Sequence, residues 1–227
     1  MTAPNSVQGS DSLTALSAAM RDGSAAEHRE AESSEFVERL VAGELAVEGY
    51  VEYLVRLRTV YAALESVGQL LRNDPIAGGF IDQDLDRVAA INADLAYWAP
   101  EGAPSVVSPA ADAYAARILA STQWGGQYIA HHYTRYLGDL SGGQVIGKVL
   151  SRTFELDGQG VEFYAFTEIP KSKPYKDAYR LRLDGLVLDA AERARIVDEV
   201  KVAFQLNHAV FEELAGHLGR WQLRSAG

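Results

Sequence analysis

Between His131 and Gln144 the chain reads HHYTRYLGDLSGGQ, and the apolar residues on either side, from Trp124 to Ile129 and from Val145 to Leu150, keep a helical period running through it. Inside that helix Gly138, Gly142 and Gly143 each cost about 1 kcal/mol relative to alanine. Gly138 and Gly142 are four apart and share one helix face, so bare backbone is offered there to another helix or to a flat ligand. Asp139 stands beside that face. Glycine pairs also produce plain kinks and helix crossings, and on this segment alone the two readings weigh about equally.

A second, distant segment favours the ligand. Arg21 and His28 are seven residues apart, roughly 20° from eclipsed on an ideal helix, and Glu32 follows one turn later. A cation and an imidazole on one face, opposite a glycine-opened helix, suit a planar dianionic cofactor whose metal takes the imidazole. Haem is such a cofactor.

The same residues carry a resemblance. EHREAESSEF around His28, VYAALE at 60–65, DLAYW at 94–98, HHYTRYLGDLSGGQV at 131–145, KPYKDAYRLRL at 173–183 and AFQLNHAVFEEL at 203–214 occur in the order found in haem oxygenases, and the chain resembles the soluble, bacterial, biliverdin-producing members of that family. The resemblance implies an all-α, single-domain, multi-helix fold with haem sandwiched between a proximal helix and a kinked distal one. It also implies a reaction, the opening of the haem ring by dioxygen and external electrons to biliverdin, carbon monoxide and ferrous iron. Haem b is then substrate as well as cofactor, and the electron donor is a separate ferredoxin or flavoprotein reductase.

Composition is compatible with this and excludes rivals. The 227 residues contain no cysteine, which removes disulfides, thiolate-ligated haem, iron–sulfur clusters and cysteine nucleophiles. A protein-supplied axial ligand therefore falls to one of five histidines. The net charge of −10 argues against nucleic acid as partner. No stretch approaches the roughly 20 apolar residues of a membrane span and no signal segment opens the chain, so a cytoplasmic protein, monomeric and without a membrane partner, is expected. No glutamate stands three residues before a histidine, so the paired Glu-x-x-His pattern of di-iron bundles is missing.

Along the chain, residues 1–9 read as a disordered tail and 10–222 as one helical domain. Ser10-Asp11-Ser12 can cap a first amphipathic run reaching about Leu40 and interrupted or strained near Gly23. A second run covers about Val47 to Leu71, and a third about Asp84 to Trp98. Ser108-Pro109 is a start signal, the glycine-bearing helix covers about 127–155, and 157–174 is irregular. Two helices follow, the last opened by Asp189 with Glu192 as a capping-box pair.

The resemblance assigns roles to individual residues. His28 ligates iron as a neutral imidazole, its second ring N–H accepted by Glu32. Asp139 holds ordered water that delivers protons on the distal side. Tyr61, Tyr114, Arg135 and Asn207 form a hydrogen-bond network that keeps Asp139 ionised. Gly138 and Gly142, with Thr134 and Gly143, lie against the macrocycle. Arg21, Tyr133, Lys176 and Arg180 meet the propionates; Arg21 stands where many members carry lysine. Phe204 and Phe211 wall the cavity. His131 and His132 diverge by about 100° on a helix, so one is expected beneath the distal network and the other in solvent. His208 and His217 receive no role. A haem carrier without turnover is the alternative; it needs His28 and the cationic anchors but not Asp139. A helical interaction module would need no haem at all.

Overall fold

The computed structural model describes residues 14–221. Among them every regular element is helical and no strand occurs; the capping role given to Ser10-Asp11-Ser12 and the 1–9 tail lie outside the described residues.

The first amphipathic run is three helices rather than one: α1 (Leu16–Gly23), α2 (Ala25–Glu32) and α3 (Glu35–Ala42). The run divides at Ser24, and the preceding Gly23 lies so close to Val197 that an added Cβ would sit 2.6 Å from its Cγ1. Ser24 closes the break by donating its hydroxyl to the Met20 carbonyl at 2.8 Å. Arg21 and His28 thus belong to two helices rather than to the one expected. At the next joint Ser34 accepts the Val37 N–H, and Gly43 ends α3 at φ +72°, a left-handed conformation suited to glycine.

Helix α4 (Val47–Leu70) runs through the core and packs on α5 (Val88–Trp98) and α6 (Pro109–Ala120). Residues 83–85, expected to begin α5, form a separate 3₁₀ turn. The α-helix proper starts where Glu65 of α4 accepts the N–H groups of Arg87 and Val88 at 2.6 and 2.8 Å. Ser108 caps α6 with Pro109 in its first turn, as the sequence indicates.

The glycine-bearing helix is four consecutive pieces. Helix α7 (Gly125–His132) passes into two π-helical stretches, Tyr133–Leu137 and Asp139–Gly143, and then into α8 (Gln144–Thr153). Such π-turns widen the helix and loosen its ladder. Side chains compensate: Thr134 and Ser141 return their hydroxyls to the carbonyls of Ala130 and Leu137, at 2.8 and 2.7 Å. After an irregular stretch come α9 (Ser172–Asp184) and α10 (Ala190–Ala215), the latter opened by the Asp189–Glu192 capping box. Helix α10 lies against α1, α2, α3, α6 and α7, which sets α2 and the π-helical segment on two sides of one cleft.

Candidate functional site

The cleft between α2, α10 and the π-helical segment encloses a cavity of about 330 Å³. It adjoins an outer hollow of about 320 Å³, and both are lined by His28, Glu32, Thr134, Gly138, Gly142 and Phe204. The volumes suit a small-molecule site.

One wall carries the imidazole. Only Ala31 is buried on α2, so that helix turns its polar side to the cleft, and the His28 side chain is 47% accessible. Its Nδ1 lies 3.4 Å from Glu32 Oε2, the second-ring contact expected from their i,i+4 spacing. Phe204 of α10 meets the imidazole edge-on at 5.0 Å, and Phe211 stacks on Phe36 deeper in the wall. This contact fixes the ring plane and leaves Nε2 as the nitrogen able to bind a metal.

The opposite wall is bare where the sequence places Gly138 and Gly142. A Cβ added at either would meet nothing within 4 Å, so neither glycine exists to admit a neighbouring helix. Gly143 differs. It borders the cavity, but a Cβ there would approach Tyr164 Cδ1 at 3.2 Å, which makes it a packing glycine rather than part of an open platform. Thr134 likewise borders the cavity but spends its hydroxyl on its own helix.

Behind the glycines lies a buried polar network. Tyr61 of α4 donates to Asp139 Oδ2. Arg135 donates to the Tyr61 hydroxyl from Nε and Nη2, at 3.2 and 3.0 Å, and to Asn207 of α10. Its Nη2 stands 3.6 Å from Asp139 Oδ1. Burial raises the Asp139 pKa above the usual carboxylate value, while Arg135, the Tyr61 hydrogen bond and Arg87 pull it back. Burial is the larger influence, so this carboxyl takes a proton more readily than an exposed one. Tyr114 does not join through a direct bond. Its hydroxyl is buried without a partner and its ring packs 5.6 Å from His131.

At the outer rim, Tyr133 and Arg180 line the hollow, and Lys176 donates to Ser141 at 2.7 Å. Burial raises the Tyr133 phenol, and Arg180 and Arg21 act against it, so both cations stand near this tyrosine. Arg21 is engaged with Asp22 at 2.8 Å and borders neither hollow.

Neither adjacent histidine reaches solvent, contrary to expectation. His131 is buried on Glu199 at 2.9 Å, and His132 on the Tyr179 hydroxyl at 2.9 Å. Burial pushes His132 down to about 3, so it is a neutral packing group. His208 and His217 lie 3.4 and 3.9 Å from Glu212 and Glu52. The sequence also leaves unnamed two polar side chains of the cavity, Tyr53 and Tyr164. Tyr53 sits on α4 eight residues before Tyr61, a spacing with weak directional meaning, and Tyr164 lies in the irregular stretch, where no period marks it.

Comparison with known proteins places this geometry. A family model described as heme oxygenase matches residues 14–213. Heme oxygenase 1 of Nostoc is 37% identical over 204 residues, covering 88% of this chain and 85% of its own. Human heme oxygenase 1 is 34% identical over 205 residues, covering 88% and 71%. Among solved structures, heme oxygenase-1 of Synechocystis in complex with heme superposes with a TM-score of 0.84 at 32% identity, over 91% of this chain and 95% of that one. The heme oxygenase of Leptospira interrogans gives 0.81 at 32%, over 88% and 100%.

Proposed function

The chain belongs to the haem oxygenase family, and on that premise we propose that it binds haem b through His28 and opens the macrocycle to biliverdin, carbon monoxide and ferrous iron, consuming dioxygen and external electrons. The observation that carries this reading is the pair Gly138 and Gly142, bare toward open space in the cavity that His28 also lines. A flat ring fits between an imidazole and exposed backbone, and a bulky side chain at either glycine would take its place.

Bound haem supplies the iron on which dioxygen is reduced and the meso carbon whose bonds are broken. The rest falls to side chains. Glu32 holds Nδ1 of His28 and so directs Nε2 into the cleft, strengthening it as a donor. Asp139 receives the Tyr61 O–H on Oδ2, which leaves lone pairs of Oδ1 to orient water. Burial raises its pKa above the ordinary carboxylate value, the direction that favours proton exchange with that water. Arg135, tied to Tyr61 and Asn207, keeps the carboxylate from turning away. Tyr133, Lys176 and Arg180, with Arg21 beyond them, offer the cations and hydroxyl that two propionates require. The same positive rim, on a chain of net charge −10, suits an acidic ferredoxin or a flavoprotein reductase as electron donor.

The test is an anaerobic haem titration followed by oxygen with ascorbate or reductase, recorded by absorption. Loss of the Soret band, growth of a bilin band and release of carbon monoxide are expected. A haem spectrum that persists under reductant would replace the enzyme with a carrier.

A further inference from the structure

Tyr164 is held more firmly than packing alone requires. A Cβ on Gly143 would lie 3.2 Å from its ring and one on Gly147 would lie 2.8 Å from its Cβ, so two glycines four residues apart form a groove for it. Gln144 donates to its carbonyl at 2.8 Å. The turn just before it is tied down where buried Asp94 accepts the N–H groups of Glu162 and Phe163, at 2.8 and 2.9 Å. The phenol that results borders the cavity shared with Arg135 and Asp139, and its oxygen is buried with no hydrogen-bond partner in the chain.

A phenylalanine would fill the same groove without a polar atom to desolvate, so an orphaned hydroxyl in a fixed place calls for an explanation. A second phenol lines the same cavity. Tyr53 on α4 is buried between Phe36 and Phe211, at ring distances of 5.4 and 6.0 Å. Burial lifts both phenols above the ordinary tyrosine value, so both keep their protons and act as donors.

We propose that Tyr164 and Tyr53 are positioning residues of the distal side, whose hydroxyls form a second row of donors beside Arg135 and Asp139 for the water and small oxygen-side ligands of bound haem. The inference rests on the haem-binding reading above. In this arrangement the glycine helix leaves space on one flank, the Tyr61–Arg135–Asp139 network orders water on another, and the two phenols restrain that water from the third.

The test uses the full chain with Tyr164→Phe, Tyr53→Phe and both together, reconstituted with ferric haem. Two readouts are independent of turnover: the midpoint of the neutral-to-alkaline spectral transition, and the affinity for fluoride, which only accepts hydrogen bonds. Hydrogen bonds to a charged form favour that form. Each single variant should therefore raise the midpoint by about 0.5 unit and weaken fluoride about threefold, with a larger change in the double variant. Apoprotein melting temperatures should not fall, because each substitution keeps the ring, and a poorly folded Tyr164→Phe leaves Tyr53→Phe to carry the same test. A double variant matching the parent in both readouts, while the parent shows an imidazole-ligated haem spectrum, overturns this inference alone. A parent that binds no haem overturns it together with the reading it rests on.

Discussion

Replacing Gly142 and Gly147 separately with alanine should shift apoprotein stability in different ways, because only one of them faces open space. At Gly142 an added Cβ meets nothing within 4 Å, whereas at Gly147 it lies 2.8 Å from Tyr164 Cβ, an atom tied to backbone that cannot swing aside. Both substitutions remove glycine's freedom in the unfolded chain, a gain of about 0.4–1 kcal/mol where the native backbone allows it, and neither glycine has positive φ. Gly142→Ala should therefore raise the apoprotein melting temperature by about 1–4 °C. Gly147→Ala carries in addition an overpacking term of about 1–3 kcal/mol. The two variants should then separate by roughly 2–12 °C in calorimetry, with Gly142→Ala the more stable. In the haem titration their order reverses: Gly142→Ala should perturb the haem spectrum and weaken binding, and Gly147→Ala should leave ligation recognisable. If Gly142→Ala melts no higher than Gly147→Ala, the glycine face is occupied by the protein's own packing. If Gly142→Ala is stabilised yet binds haem unchanged, the space in front of it is not where the ring lies.

His28→Ala should lose the imidazole-ligated spectrum and regain it with added imidazole, and a spectrum unchanged by the substitution would move the ligand to another histidine. Asp139→Asn should bind haem normally but give little bilin, and a normal bilin yield would discard the water-ordering role. Charge reversal at Arg180, measured by haem affinity and by the isomer composition of the bilin, should weaken binding and alter the choice of meso carbon; no effect on either would remove this residue from the propionates. His132, held near pKa 3 by burial, accepts a proton more readily unfolded than folded. Stability should thus fall as pH drops below about 6.5, at about 1.4 kcal/mol per unit, and level off near 3. Urea unfolding of His132→Gln between neutral and mildly acidic pH should show this slope reduced, and an equal slope in both proteins would contradict the buried neutral imidazole.

Signals confined to a few residues carried through to the structure. Ser108 with Pro109, Asp189 with Glu192, and His28 with Glu32 are each set by contacts within four positions, and local chemistry is enough to place them. Features imposed by distant parts of the chain did not show. The sequence marks Gly23 as a weak point of the first run, but not the packing of Val197 of α10 against it, nor that the run divides at Ser24 into two helices. Helical period alone gives the two adjacent histidines an inner and a solvent side of their helix. That helix is enclosed, with α10 supplying Glu199 to one ring and α9 supplying Tyr179 to the other. Divergence by about 100° then separates two buried environments, not an inside from an outside. Tyr164 is not legible in the sequence, because an irregular stretch has no period that marks which side chains turn inward.

The same enclosure explains how a segment this poor in side chains keeps its shape. Three glycines in six positions withdraw roughly 3 kcal/mol of helix propensity, and the π-helical ladder adds carbonyls that need partners. The reverse side supplies the stability. Leu140 is 1% exposed, a burial worth roughly 1.5–3 kcal/mol, and Tyr136 packs against Tyr61 and His132 at 5.6 and 4.6 Å. Ser141 and Gln144 take up the Leu137 and Asp139 carbonyls. A helix clamped along one side in this way can stay bare along the other, and the bare side is then rigid rather than slack. Rigidity is what a platform for a flat ligand needs, since loosely held backbone would close over the space that Gly138 and Gly142 keep open. The residues that make the site therefore include Leu140 and Tyr136, which touch no ligand. Truncating Leu140 to alanine should loosen the glycine face before it unfolds the protein, visible as faster amide exchange at 138–143 with haem affinity falling alongside it. Unchanged exchange there, with affinity intact, would mean that the segment's rigidity comes from its own π-helical ladder and not from the core behind it.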